Sequence, residues 1–118
     1  MTQKIVMIVH AAPYGSERCL SALRVANALA GRDDAPQLQV FLMSDATVVA
    51  LPGQQDGAGN GLQAQVQTLV QAGATIKLCR TCAMARGLVD LTLIDGVSIG
   101  TLPELADWVV AADKVITF

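Results

Sequence analysis

Short apolar runs alternate along this chain with stretches whose apolar residues recur every three or four positions, the pattern of strands interleaved with amphipathic helices. Ile5-Val6-Met7-Ile8-Val9 is apolar throughout, as expected of a central parallel strand. His10 to Gly15 reads as a loop, and Ser16 as the N-cap of a helix from Glu17 to about Gly31. That helix is polar only along a narrow stripe of Ser21, Arg24 and Asn27, so it is expected to be covered on more than one side, other subunits included. Asp33-Asp34-Ala35-Pro36 turns into a second strand at 38–43, and a short helix is expected over 46–51. Pro52 to Gly61, rich in Gly, Gln and Asp, reads as a mobile flap. Leu62, Val66, Leu69 and Val70 fall at i, i+4, i+7 and i+8 and mark an amphipathic helix that Gly73 ends.

The third strand spans 74–79 and runs into Cys79-Arg80-Thr81-Cys82, with Thr81 expected to cap a short helix reaching about Gly87. The stretch 91–99 is ambiguous, with a short strand near Val97. Thr101-Leu102-Pro103-Glu104 has the form of a capping box for a helix to about Ala112, and 114–118 is a last strand. The succession predicts an α/β fold: one domain over 1–118, a three-layer sandwich of parallel sheet with helices on both faces. No internal repeat or low-complexity tract interrupts it.

Composition narrows the class. The 118 residues are 53% hydrophobic but 3% aromatic. Mean hydropathy is +0.47, carried by Ala, Val, Leu and Ile, which suits a covered parallel sheet and surface buried between subunits. A net charge of −2 with no basic run argues against nucleic-acid binding. The apolar runs fall well short of the ~20 residues of a membrane span, and Met1-Thr2-Gln3-Lys4 leads into a strand without signal-peptide architecture. A cytoplasmic protein is expected, and three cysteines then point to reactive or buried thiols rather than a disulfide scaffold.

Cys79 and Cys82 are the candidate reactive groups. Parallel α/β folds place chemistry at the carboxyl ends of strands, where Cys79 stands. A thiol at the start of a helix, beside Arg80 and Arg86, is expected to ionise more readily than a free one. The alternative is a pair of buried structural thiols. One CxxC with only His10 and Cys19 as further soft ligands falls short of a zinc site, whereas a thioredoxin-like dithiol is a closer rival. His10 closes the first strand at the same sheet edge: it either stabilises a sulfur anion or is a backbone-bonded loop residue. Tyr14, Ser16 and Arg18 either line that crevice or serve as cap and solvated charge, and Asp45 reads as a helix cap. The first loop has too few glycines for a dinucleotide fingerprint. Cys19, Met7, Met43, Met84 and Trp108 read as packing.

Taken together, His10 to Arg18, Phe41-Leu42-Met43-Ser44-Asp45-Ala46, Cys79-Arg80-Thr81-Cys82 with Ala85-Arg86-Gly87, and the stretches Glu104 to Trp108 and Ala112 to Phe118 resemble the DsrE/DsrF-like (YchN-like) proteins. The resemblance implies a compact α/β sandwich forming homotrimers or homohexamers, and sulfur relay by way of a cysteine persulfide. Members active in sulfur oxidation or transfer-RNA thiolation have one reactive cysteine eight residues before the glycine of an Arg-Gly, which matches Cys79 here. Cys82 matches a second cysteine common in the stand-alone branch, and Ser44 stands where the family's Met-Gly-Asp-Ala pattern has glycine. The implied activity is sulfur transfer between donor and acceptor proteins, a possible sulfurtransferase with no metal or organic cofactor. Arg80, Arg86, His10 and Tyr14 are the candidate substrate-side residues. A CxxC redox protein and a non-catalytic ligand-binding module are the rival classes.

Overall fold

In the computed structural model, which describes residues 2–118, the apolar runs become parallel strands. β1 (Lys4–Val9) lies between β2 (Gln37–Leu42) and β5 (Lys114–Thr117); β3 (Thr75–Cys79) pairs with β2, and β4 (Val97–Gly100) closes the edge. The sheet order is β4-β3-β2-β1-β5. The connections carry α1 (Arg18–Ala30), a 3₁₀ helix (Ser44–Ala50), α2 (Leu62–Gln71), α3 (Arg80–Ala85) and α4 (Leu102–Ala111). The α/β fold expected from the sequence is the one found.

The pleat of the strands sorts the core into two unequal layers. Ile5, Met7 and Val9 of β1, Leu38, Val40 and Leu42 of β2, and Ile76 and Leu78 of β3 pack with Cys19, Leu23 and Ala26 of α1 and Val66 and Leu69 of α2. The alternate positions, Val6, Phe41 and Cys79, form a smaller cluster under Leu105 of α4, with Ile8, Met43, Cys82, Trp108 and Ala112 at its margin. One helix therefore covers this face, where α1 and α2 cover the other.

α4 is tied down at its start and middle. Thr101 Oγ1 accepts the Glu104 N–H while the Glu104 carboxylate accepts the Thr101 N–H, so the expected capping box is present, with Pro103 in the first turn. The same carboxylate pairs with Lys77 of β3, and this pairing, with the cap behind it, holds the carboxyl below the usual range. Trp108 meets Phe41 edge to face, centroids 5.8 Å apart, worth about 0.5–1.5 kcal/mol beyond area burial. Gly100, paired with Cys79 in the sheet, has to lack a side chain: a Cβ there would lie 2.9 Å from Lys77 Cδ and 3.1 Å from Phe41 Cε2. The outer surface stays apolar, with Val110 88% exposed and Leu102, Val109 and Val115 also exposed.

Several boundaries differ from the sequence reading. α1 begins one residue later, with Glu17 as N-cap, and Ser16 Oγ accepts the Arg18 N–H from just outside. α3 starts at Arg80 with Cys79 in the extended N-cap position, so Thr81 is not the cap: the strand turns directly into the helix. The ambiguous stretch yields a true fourth strand, and Met84, expected in the core, is 61% exposed. The segment read as a flap carries specific bonds, with Gln54 Nε2 donating to the carbonyls of Val48 and Leu51 and Asp56 Oδ1 accepting from the Asn60 N–H. Among the described residues no helix is long and apolar enough to cross a membrane.

Cys19 lies 1% exposed between α1 and the sheet, and burial pushes its thiol up to about 11 from an ordinary value of 9.0. The folded state keeps the proton where the unfolded chain loses it, so stability is full below pH 9 and falls as pH rises toward 11, by roughly 3 kcal/mol. Urea unfolding at pH 8, 9.5 and 10.5 is expected to show that decline, and Cys19→Ala is expected to flatten it; an equally steep decline in the variant would assign the effect to another group.

Candidate functional site

The site begins with the alternation of β3. Ile76 and Leu78 face the α1/α2 layer, which turns Lys77 and Cys79 toward α4. Cys79 is 1% exposed and is packed with Val6, Phe41 and Leu105. Three residues on, in the first turn of α3, Cys82 is half-buried against the same cluster. Two thiols thus share one apolar niche, a packed cluster at the carboxyl end of the sheet.

The sequence reading has Cys79 opening into the crevice at the strand end, whereas the structure buries the Cys79 thiol under α4. Burial raises it above the ordinary value; the backbone N–H of Cys82 faces the sulfur and works against the rise, the Cys82 thiol adds to it, and the Thr81 N–H again opposes it. Desolvation, with the Cys82 thiol adding to it, outweighs the two amides.

Arg86 does not point its guanidinium at the sulfurs. Nε and Nη2 donate to Asp45 Oδ1 at 3.0 and 2.9 Å, and Nη1 donates to the Cys82 carbonyl at 3.1 Å. It clamps the end of α3 to the 3₁₀ helix that follows β2. Asp45, read from the sequence as a cap, makes no cap bond and is the other half of this clamp. Nothing in the sequence marked two residues 41 positions apart as partners. Arg80 is exposed on the first turn of α3.

His10 follows β1, two strands from β3. Extending the register by one position sets His10, Met43, Cys79 and Gly100 in one row, which puts His10 about 10 Å from Cys79 along the sheet. Its backbone N–H donates to the Phe118 carbonyl and its side chain is exposed. Tyr14 belongs to a different feature, a groove of about 410 Å³ between the β1–α1 loop and the 52–61 segment, where its hydroxyl donates to Gln54 Oε1 at 2.8 Å. Cys79, Cys82 and Arg86 therefore come together, while His10 and Tyr14 stand apart from the thiols. The frame of Lys77, Glu104 and Trp108 was missed from sequence; a lysine inside an otherwise apolar strand was its only signal. Among the described residues no group of three or more His, Cys, Asp or Glu side chains could hold a metal ion.

The profile of the DsrE/DsrF-like family matches residues 3–118. The chain belongs to that family. It is 48% identical over 116 residues to the protein YchN of Escherichia coli K12, covering 98% of this chain and 99% of that one. An uncharacterized protein of Methanopyrus kandleri is 36% identical over 115 residues, covering 97% and 93%. The crystal structure of the E. coli YchN protein superposes with a TM-score of 0.95 over 99% of this chain and all of that one. A conserved protein of unknown function from Bacteroides thetaiotaomicron shares the fold, with a TM-score of 0.70 at 14% identity over 98% and 95% of the two chains. Membership of the DsrE/DsrF-like family points to a role related to sulfur relay.

The family's glycine position also acquires a physical meaning. Ser44 has φ +53°, the left-handed conformation that glycine adopts without a Cβ clash. Its carbonyl accepts the Thr47 hydroxyl at 2.8 Å, which holds the turn leading to Asp45. Ser44→Gly is expected to raise stability by about 0.5 kcal/mol, the relieved strain less the freedom glycine adds to the unfolded chain; a lower urea midpoint would mean that the turn is unstrained. Asp45→Asn is expected to cost less than about 1 kcal/mol, because the pair is largely in water. Amide exchange should nevertheless speed up in α3 and not in α1 or α2, and unchanged protection in α3 would remove the clamp from the account.

Proposed function

We propose that this protein is an intracellular sulfur-transfer protein that holds sulfane sulfur as a persulfide on Cys79 and passes it between a donor and an acceptor protein. The observation that carries this reading is the pair of thiols sharing one apolar niche at the end of β3. A site thiolate attacks the outer sulfur of the donor's persulfide; a new S–S bond forms as the donor's breaks, and the donor leaves as a thiolate that takes up a proton. Delivery to the acceptor is the same exchange in reverse, with no change of oxidation state and no cofactor.

The geometry refines the supporting cast. The N–H groups of Cys82 and Thr81 are the nearest stabilisers of a sulfur anion, and Arg86 acts by holding α3 in place through Asp45. Arg80 and His10 are exposed and available to a docking partner, while Tyr14, bonded to Gln54, would meet one only at the neighbouring groove. The exposed apolar residues of α4 and β5, Leu102, Val109, Val110 and Val115, favour a homo-oligomer, a trimer or hexamer as the family resemblance implies.

Intact mass spectrometry after incubation with cysteine persulfide tests the reading. Wild type is expected to gain one sulfur atom, removed by reductant, and the double variant Cys79→Ser/Cys82→Ser to gain none. Wild type that only loses two hydrogens would instead make the pair a dithiol redox switch.

A further inference from the structure

Both thiols pack in one apolar niche, but they do not meet the outside equally. Cys79 is 1% exposed: its side chain points inward from the last position of β3, beneath Leu105 and beside Val6 and Phe41. Cys82 is half-buried on the first turn of α3, packed on the margin of that cluster and close enough for its thiol to bear on the titration of Cys79. Of the two residues, Cys82 is the one with surface left to solvent, so a donor sulfur arriving from outside meets it first. To reach Cys79 directly it would have to displace the apolar side chains around it.

We propose that the two cysteines act in series, Cys82 as the receiving thiol and Cys79 as the storage thiol, with the sulfane sulfur handed between them inside the protein. The inference rests on the persulfide reading above and adds an order and a direction to it. In the first exchange the Cys82 thiolate attacks the outer sulfur of the donor persulfide. The Cys82 Sγ–S bond forms, the donor's S–S bond breaks, and the donor departs as a thiolate. In the second, the Cys79 thiolate attacks the outer sulfur of the Cys82 persulfide. The Cys79 Sγ–S bond forms, the Cys82 Sγ–S bond breaks, and Cys82 returns as a thiolate that takes up the proton Cys79 gave up. No oxidant or reductant enters either step. Attack on the inner sulfur would be a different reaction, leaving a Cys79–Cys82 disulfide and expelling sulfide.

Burial serves storage in two ways. It keeps other thiols and oxidants from sulfur held on Cys79. The desolvation that pushes the Cys79 thiol up also makes its thiolate a poor leaving group, so sulfur bonded there is retained until the niche is opened. Acceptor docking that displaces the rim of the niche would then govern release.

The order is read by time-resolved labelling. The protein is mixed with cysteine persulfide, quenched with excess alkylating agent at intervals and digested with trypsin; Arg80 lies between the two cysteines, so cleavage there places them on separate peptides. In wild type the extra sulfur is expected on Cys82 first and to decline there as it rises on Cys79. Cys82→Ser is expected to load Cys79 about tenfold more slowly, recovering in mild denaturant, because access limits a buried thiol. Cys79→Ala, which keeps the niche apolar, is expected to load Cys82 at the wild-type rate and hold it there. Direct loading of Cys79 at the wild-type rate in Cys82→Ser would overturn the series, as would wild-type sulfur that stays on Cys82, although a persulfide protein would still stand. Wild type that gains sulfur on neither thiol would remove the persulfide reading and this inference together.

Discussion

Everything at the candidate site depends on the pleat of β3. Pairing with β2 in register sets Phe41 beside Lys77 and Leu42 beside Leu78, and the alternation of side chains then leaves Cys79 on the α4 face. A slip of one residue would send the thiol into the α1/α2 layer beside Leu42 and Leu69 and bring Leu78 to the α4 face in its place. The register is secured by burial on the opposite face, so the large core between α1, α2 and the sheet positions a sulfur it never touches.

The local electrostatics follow from competition between burial and the backbone amides that face Cys79. Two arginines near a CxxC look like a positive field, but one is committed to Asp45 and the Cys82 carbonyl, and the other projects outward. What remains at Cys79 is desolvation opposed by two amides, and desolvation prevails. The result differs from a thiol kept ionised for attack on any electrophile. It is a shielded group whose reactivity depends on what is delivered to it.

Four of the five strands, the three longer helices and the capping box were legible in the sequence because each is written in adjacent residues: apolar runs, a three-to-four-residue repeat, and Thr101 with Glu104. Cys79 and Cys82 were legible for the same reason, standing at a strand end. The ends of the short helices were harder to place, since α3 needs no side-chain cap when a strand runs straight into it. The Arg86–Asp45 clamp and the Lys77–Glu104–Trp108 frame were invisible because they join residues 41, 27 and 31 positions apart, distances fixed only by the sheet order. Cys79 reads from sequence as an exposed strand end and is buried, because flanking charge is local in sequence while burial is a property of the finished fold.

One consequence lies in the route of the chain. α4 carries it from β4, at one edge of the sheet, to β5 at the other, and it does so after β1, β2 and β3 have all been made. A chain emerging from the ribosome assembles the α1/α2 layer from contacts already present, yet Val6, Phe41 and Cys79 stay open until the last segment crosses the sheet and β5 pairs with β1. During that interval a thiol sheltered in the mature protein is accessible, and an oxidant or stray metal that finds it would meet a nascent chain rather than a folded one.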